Sequence, residues 1–260
     1  MPLAEYRVQD GIAIVELANP PANAYSYDMF REIDSAILQA RMDDGVHLIV
    51  VRGKGEKFFC AGADIAMLKS ATPRWKYAFC LHANETLLRL ENTPKLSIAA
   101  LNGHTVGGGL EIALACDLRV ACRGSGKMGL PEVNLGVLPG TGGTQRLVRV
   151  VGRSKAIELM AKGATFSFEE GKGLGLVNEV FEPAGWWERV LEFAASFKPP
   201  ARASKAVGLI KRAVLGGADL PLESGLALER ELQQQLFESQ DAREGLAAYV
   251  EKRPPAFKGC

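Results

Sequence analysis

Short apolar runs separated by helical stretches constrain this chain more than any other feature. His47-Leu-Ile-Val-Val, Ser97-Ile-Ala-Ala-Leu and Asp117-Leu-Arg-Val-Ala each read as a buried strand. A mostly helical stretch over about 74–91 precedes the second, and a glycine-led helix separates the second from the third. Strands that alternate with helices favour a largely parallel α/β arrangement.

The amino-terminal part fits the same scheme. Residues 5–17 read as two short strands around Asp10-Gly11, a pair suited to a tight hairpin because both residues tolerate positive φ. The second strand runs into Pro20-Pro21. From Ser26, an N-cap, Met29, Phe30, Ile33, Ile37 and Ala40 recur at helical spacing until Asp43-Asp44-Gly45. After about residue 183 the strand signals stop. The chain therefore divides into a core over 1–197 and a helical region over 198–260, expected to cap the core and make subunit contacts.

Composition matters here for what it excludes. Apolar residues make up 47% and charged residues 23%, so the chain is no disordered segment. A net charge of +1 gives no overall basic bias, so no nucleic-acid partner is expected. Five cysteines without a CxxC pair argue against a disulfide framework, and His47, His82 and His104 are too scattered to suggest a metal site. No apolar stretch reaches the roughly 18 residues of a membrane span, and the first residues lack a basic-then-apolar leader. The expectation is a cytoplasmic protein with no membrane partner.

Three segments carry chemistry. Phe58-Phe-Cys-Ala-Gly-Ala-Asp-Ile places small residues just past a strand, where a ligand can approach the backbone, with Ala63 as a candidate amide donor. Asn102-Gly-His-Thr-Val-Gly-Gly-Gly-Leu-Glu repeats that logic at a helix start, with Gly108 as the second donor. Two amides converging on one oxygen would stabilise an oxyanion. Glu111 follows the glycines directly among Leu110, Ile112, Ala113 and Leu114, where burial would raise its pKa; the alternative is an acid that merely offsets the helix dipole. Glu132 lies in Gly129-Leu-Pro-Glu, ahead of Gly140-Thr-Gly-Gly-Thr. That glycine run lacks the ending of a phosphate loop and does not match a dinucleotide fingerprint.

Taken together, Cys60-Ala-Gly-Ala-Asp, Asn102 to Glu111, and Pro131-Glu through Gly143-Thr-Gln-Arg-Leu resemble the enoyl-CoA hydratase (crotonase) family, a likeness that extends to Glu251-Lys-Arg-Pro-Pro-Ala-Phe-Lys. The resemblance implies an α/β, crotonase-like spiral of ββα units with a helical carboxy-terminal region, assembled as a homotrimer or a dimer of trimers. It makes the Ala63 and Gly108 amides the oxyanion pair and Glu111 and Glu132 the catalytic acids. It also implies an acyl-CoA thioester substrate and no separate cofactor, coenzyme A being part of the substrate. CoA and substrate contacts fall by the same likeness on Ala24, Ala61, Ala63, Asp64, Ile65, Ala66 and Gly108, with Tyr249 and Lys252 reaching a neighbouring subunit's CoA. Many relatives carry Lys where Ala66 stands.

The expected reaction is hydration of a 2-enoyl-CoA, or its reverse. Double-bond isomerisation, hydration of a branched substrate such as methylglutaconyl-CoA, and a non-enzymatic RNA-binding role are the alternatives. Acyl selectivity is expected in Met67 to Ala78 and the first helices of the tail, as an apolar lining.

Overall fold

A computed structural model describes residues 1–260. The hairpin forms as expected: β1 (Ala4–Gln9) and β2 (Ile12–Leu17) pair antiparallel around Asp10 and Gly11, whose φ values are 49° and 73°. Helix α1 (Tyr27–Met42) starts where its cap predicts, the Ser26 hydroxyl accepting from Met29 N at 3.3 Å. Next come β3 (Leu48–Gly53), β4 (Phe58–Cys60), α2 (Ile65–Ser70), α3 (Pro73–Glu91), β5 (Leu96–Leu101), β6 (His104–Val106) and α4 (Gly108–Leu114).

The second half begins with β7 (Leu118–Cys122) and β8 (Lys127–Gly129), then a single 3-10 turn (Glu132–Leu135), α5 (Gly143–Val151), α6 (Arg153–Ala161), β9 (Thr165–Ser167), α7 (Phe168–Gly173) and β10 (Glu179–Phe181). From there the chain is helical: α8 (Trp186–Ala195), α9 (Ser204–Gly217), α10 (Leu222–Phe237) and α11 (Gln240–Glu251). Residues 123–126, glycine-rich, make the turn between β7 and β8, with Gly124 at φ 68°.

Two sheets result. The larger has the order β1-β2-β3-β5-β7-β10, parallel beyond the first hairpin, and the smaller has the order β4-β6-β8-β9. Each of β3, β5 and β7 is followed at once by a short strand of the smaller sheet and then by helix, which is the spiral of ββα units that the resemblance implies.

Alternate residues of the large sheet face opposite cores. Ile12, Ile14, Leu48, Val50 and Ile98 pack against Val190 and Ala194 of α8. Val15, Ile49, Val51, Ala99 and Leu101 face the larger core that holds α1 and α3. Burial on both faces explains why these strands read as continuous apolar runs rather than alternating ones.

The helical tail is pinned to this core by a buried cation. Lys211 of α9 lies 2.8 Å from Asp117 and donates to the carbonyls of Leu90 and Lys95 at 3.1 Å each. Asp117 in turn accepts from Ser97 N and Oγ at 2.7 Å.

Candidate active site

Parallel strands β4 and β6 are neighbours, so the two glycine-containing segments leave the sheet side by side. Asn102 ties their approaches together, its Oδ1 accepting from Gly53 N at 2.9 Å and its Nδ2 donating to Gly55 O at 2.7 Å. Asn23, at φ 51° and fully buried, donates to Lys54 O and Phe58 O and so fixes the chain ahead of Tyr25.

Tyr25 then forms a parallel bridge with Ala63: Tyr25 N donates to Gly62 O at 2.8 Å, and Asp64 N donates to Tyr25 O at 2.9 Å. In such a bridge the amide of Ala63 itself points away from Tyr25, and it donates to no backbone carbonyl. Gly108 N, in the first turn of α4, is free as well. Gly62, at φ 91°, brings the two segments together, for a Cβ built there would stand 3.1 Å from Gly108 N. Ala63 and Gly108 thus come from adjacent segments and line the same cavity.

Both acids enter the same cavity, a space of about 560 Å³ lined by Ala63, Gly108, Glu111 and Glu132 among other residues. Glu111 is 1% exposed. Its Oε1 accepts from Thr141 N at 2.8 Å and Gly143 N at 2.7 Å, and its Oε2 accepts a short bond from the Thr141 hydroxyl. The glycine run at 140–144 thus does cradle an anion, and the anion is the protein's own carboxylate.

Glu132 is held differently. Its Oε1 lies 3.1 Å from where a Gly107 Cβ would be, and its buried Oε2 has no hydrogen-bond partner in the protein. Burial, with the neighbouring Glu111 charge adding to it, pushes this carboxyl up to about 7, against a bond from its own backbone and the pull of Lys76. Glu132 is thereby poised to exchange a proton near neutral pH.

Three residues of the site escape sequence reasoning. Tyr25 lines the cavity with its ring wedged beside Gly108, where an added Cβ would fall 2.0 Å from the phenol oxygen. Phe30 and Phe79 hold that ring at centroid distances of 4.8 and 6.1 Å, and burial raises the phenol's pKa well above its ordinary value, with Glu111 contributing. Thr141 was legible only as part of a glycine run. Lys76, on α3, falls in the segment expected to supply an apolar acyl lining, and it is the one cation in the cavity wall.

Of the expected CoA contacts, Ala61, Ala63, Ile65 and Gly108 line the cavity, and Ala24, Asp64 and Ala66 do not. The Asp64 carboxylate is turned away to cap α2, accepting from Met67 N at 2.8 Å. Tyr249 and Lys252 lie at the carboxyl end of α11, outside this chain's cavity, with Tyr249 86% exposed.

Two amides without a backbone acceptor and two glutamates thus line one largely apolar cavity. The chain belongs to the enoyl-CoA hydratase/isomerase family, whose sequence model matches residues 7–260. It is 37% identical over 243 residues to a short-chain-enoyl-CoA hydratase of Clostridium acetobutylicum, covering 93% of this chain and 92% of the relative. It is 36% identical over 241 residues to the human mitochondrial methylglutaconyl-CoA hydratase, covering 91% and 70% respectively. A crystal structure of an enoyl-CoA hydratase from Geobacillus kaustophilus HTA426 superposes with a TM-score of 0.97 at 46% identity, over 100% of this chain and 98% of that one.

Proposed function

We propose that the protein adds water across the 2,3 double bond of a 2-enoyl-CoA, or removes it in the reverse direction, with all of the chemistry supplied by side chains and backbone amides. The observation that carries this reading is the presence of two carboxyl groups, one accepting from three donors and one raised to about 7, in one cavity with the amides of Ala63 and Gly108, which donate to no backbone carbonyl. The thioester oxygen sits between those amides, which take up the charge as the enolate forms.

Counting lone pairs supports a position for the water. A carboxylate has about four acceptor sites, and the protein fills three on Glu111, two at Oε1 and one at Oε2. The vacant site on Oε2 accepts one O–H of the attacking water, and Glu111 takes that proton as oxygen bonds to C3. Glu132 delivers its own proton to C2. One proton has then moved from Glu132 into the product and one from water onto Glu111, and exchange through solvent resets the pair. Each acid–base step typically contributes about 10²–10⁴-fold.

No resident cofactor enters this scheme, and CoA arrives with the substrate. No helix is long and apolar enough to cross a membrane, and we assign the protein to the cytoplasm. The assembly we propose is a homotrimer or a dimer of trimers, for whose contacts Leu222, Phe237, Tyr249 and Val250 on α10 and α11 supply exposed apolar surface. Turnover of crotonyl-CoA in heavy water tests the reaction: the reading requires 3-hydroxybutyryl-CoA with one deuterium at C2. Formation of a 3-enoyl-CoA without a hydrated product would replace hydration with isomerisation.

A further inference from the structure

Beyond the acids, the cavity wall is mostly apolar or glycine, with Ile65, Leu68, Leu135, Val137 and Leu138 around its outer part. Lys76 interrupts it. Its stem is half-buried, and its ammonium is folded inward, 5.2 Å from the centre of the Phe79 ring and 3.9 Å from where a Cβ on Gly140 would stand. Gly140 immediately precedes Thr141, which holds Glu111, and the ammonium also acts on the Glu132 carboxyl, so the cation stands beside the reacting pair, within reach of the end of a short acyl chain. Lys76 forms none of the protein's salt bridges or side-chain hydrogen bonds, although Arg89, Arg146 and Lys95 on neighbouring elements all have partners.

A lysine with only a packing role extends its ammonium to water. One turned toward an apolar wall with no anion bonded to it leaves its donors available, and a carboxylate arriving there would gain a charge-assisted bond. We propose that Lys76 forms an acyl-end subsite that selects thioesters whose acyl chain carries a terminal carboxylate. This rests on the acyl-CoA reading above and adds the substrate class to it: a 2-enoyl-CoA derived from a dicarboxylic acid.

The test uses binding, so that it stands apart from turnover. Glutaryl-CoA and pentanoyl-CoA have the same chain length, neither has a double bond to react, and they differ in the terminal carboxylate. Calorimetry on the intact protein should show glutaryl-CoA binding at least about tenfold more tightly, the scale of one hydrogen bond to a charged group. Lys76→Met should erase that difference and Lys76→Arg should restore part of it. Equal binding of the two ligands by the wild type would overturn the proposal. So would a preference that survives in Lys76→Met, or a Lys76→Met variant whose only change is the pH profile of turnover, since Lys76 would then serve Glu132 alone. Crotonyl-CoA turnover, measured separately, decides the hydratase reading whatever the binding ratio shows.

Discussion

Replacing Glu132 with glutamine should stabilise the protein and at the same time stop its chemistry. Folding raises this carboxyl from its ordinary value of 4.5 to about 7, because burial disfavours the charge and the buried Oε2 has no donor to offset it. Between those two values the folded state holds more protons than the unfolded one, so wild-type stability falls as pH rises from 4.5 to 7. The penalty is complete above about 7 and absent below 4.5. At full burial it would be about 3 kcal/mol, and solvent screening of this partly exposed group reduces it to about 1–2 kcal/mol. Glutamine keeps the shape and never ionises. Thermal melts at pH 8 should therefore show Glu132→Gln above the wild type by about 2–5 °C, with the gap closing at pH 5. A variant less stable than the wild type at pH 8, or displaced equally at both pH values, would refute the claim that Glu132 holds a strained charge. The same titration makes hydration kcat/KM decline as pH rises through about 7, because the proton for C2 is lost.

Gly108→Ala should lower kcat/KM by about 100-fold or more, since its Cβ would meet the fully buried Tyr25 ring and displace one oxyanion donor; adding Tyr25→Ala makes room, and non-additive partial recovery in a double-mutant cycle would show it. Thr141→Val removes a hydroxyl bonded to the Glu111 carboxylate and should cost about 10–100-fold in kcat with the fold intact by circular dichroism; a loss within twofold would contradict the role of that bond. Lys211→Met leaves Asp117 buried without its cation and should destabilise by about 3–5 kcal/mol in urea unfolding, a loss below 1 kcal/mol being the contrary result.

The pattern of strands and helices was open to reading because local signals and tertiary demands agree. Ser26 caps α1 where its spacing says it should, and the three apolar runs are buried on both faces. Helix α2 was missed because six residues give too little periodicity, and its cap, Asp64, had a ligand role to compete with. At the site, Glu111 and Glu132 were visible because each stands against glycines or proline at a turn. Tyr25, Thr141 and Lys76 were not, since each reaches the chamber from a distant segment only after β4 and β6 have paired and the 140–144 loop has closed on Glu111. The raised pKa of Glu132 comes first from its burial, which exists only in three dimensions.

The most direct test follows the ultraviolet absorbance of the conjugated thioester when the protein meets crotonyl-CoA, beside Glu111→Gln and Glu132→Gln. The account predicts rapid loss of absorbance by the wild type and a fall of about 10²-fold or more in each variant. Loss that persists in either variant would remove that carboxylate from the mechanism, and a wild type that binds CoA thioesters without any loss would contradict the hydration of an unbranched enoyl chain.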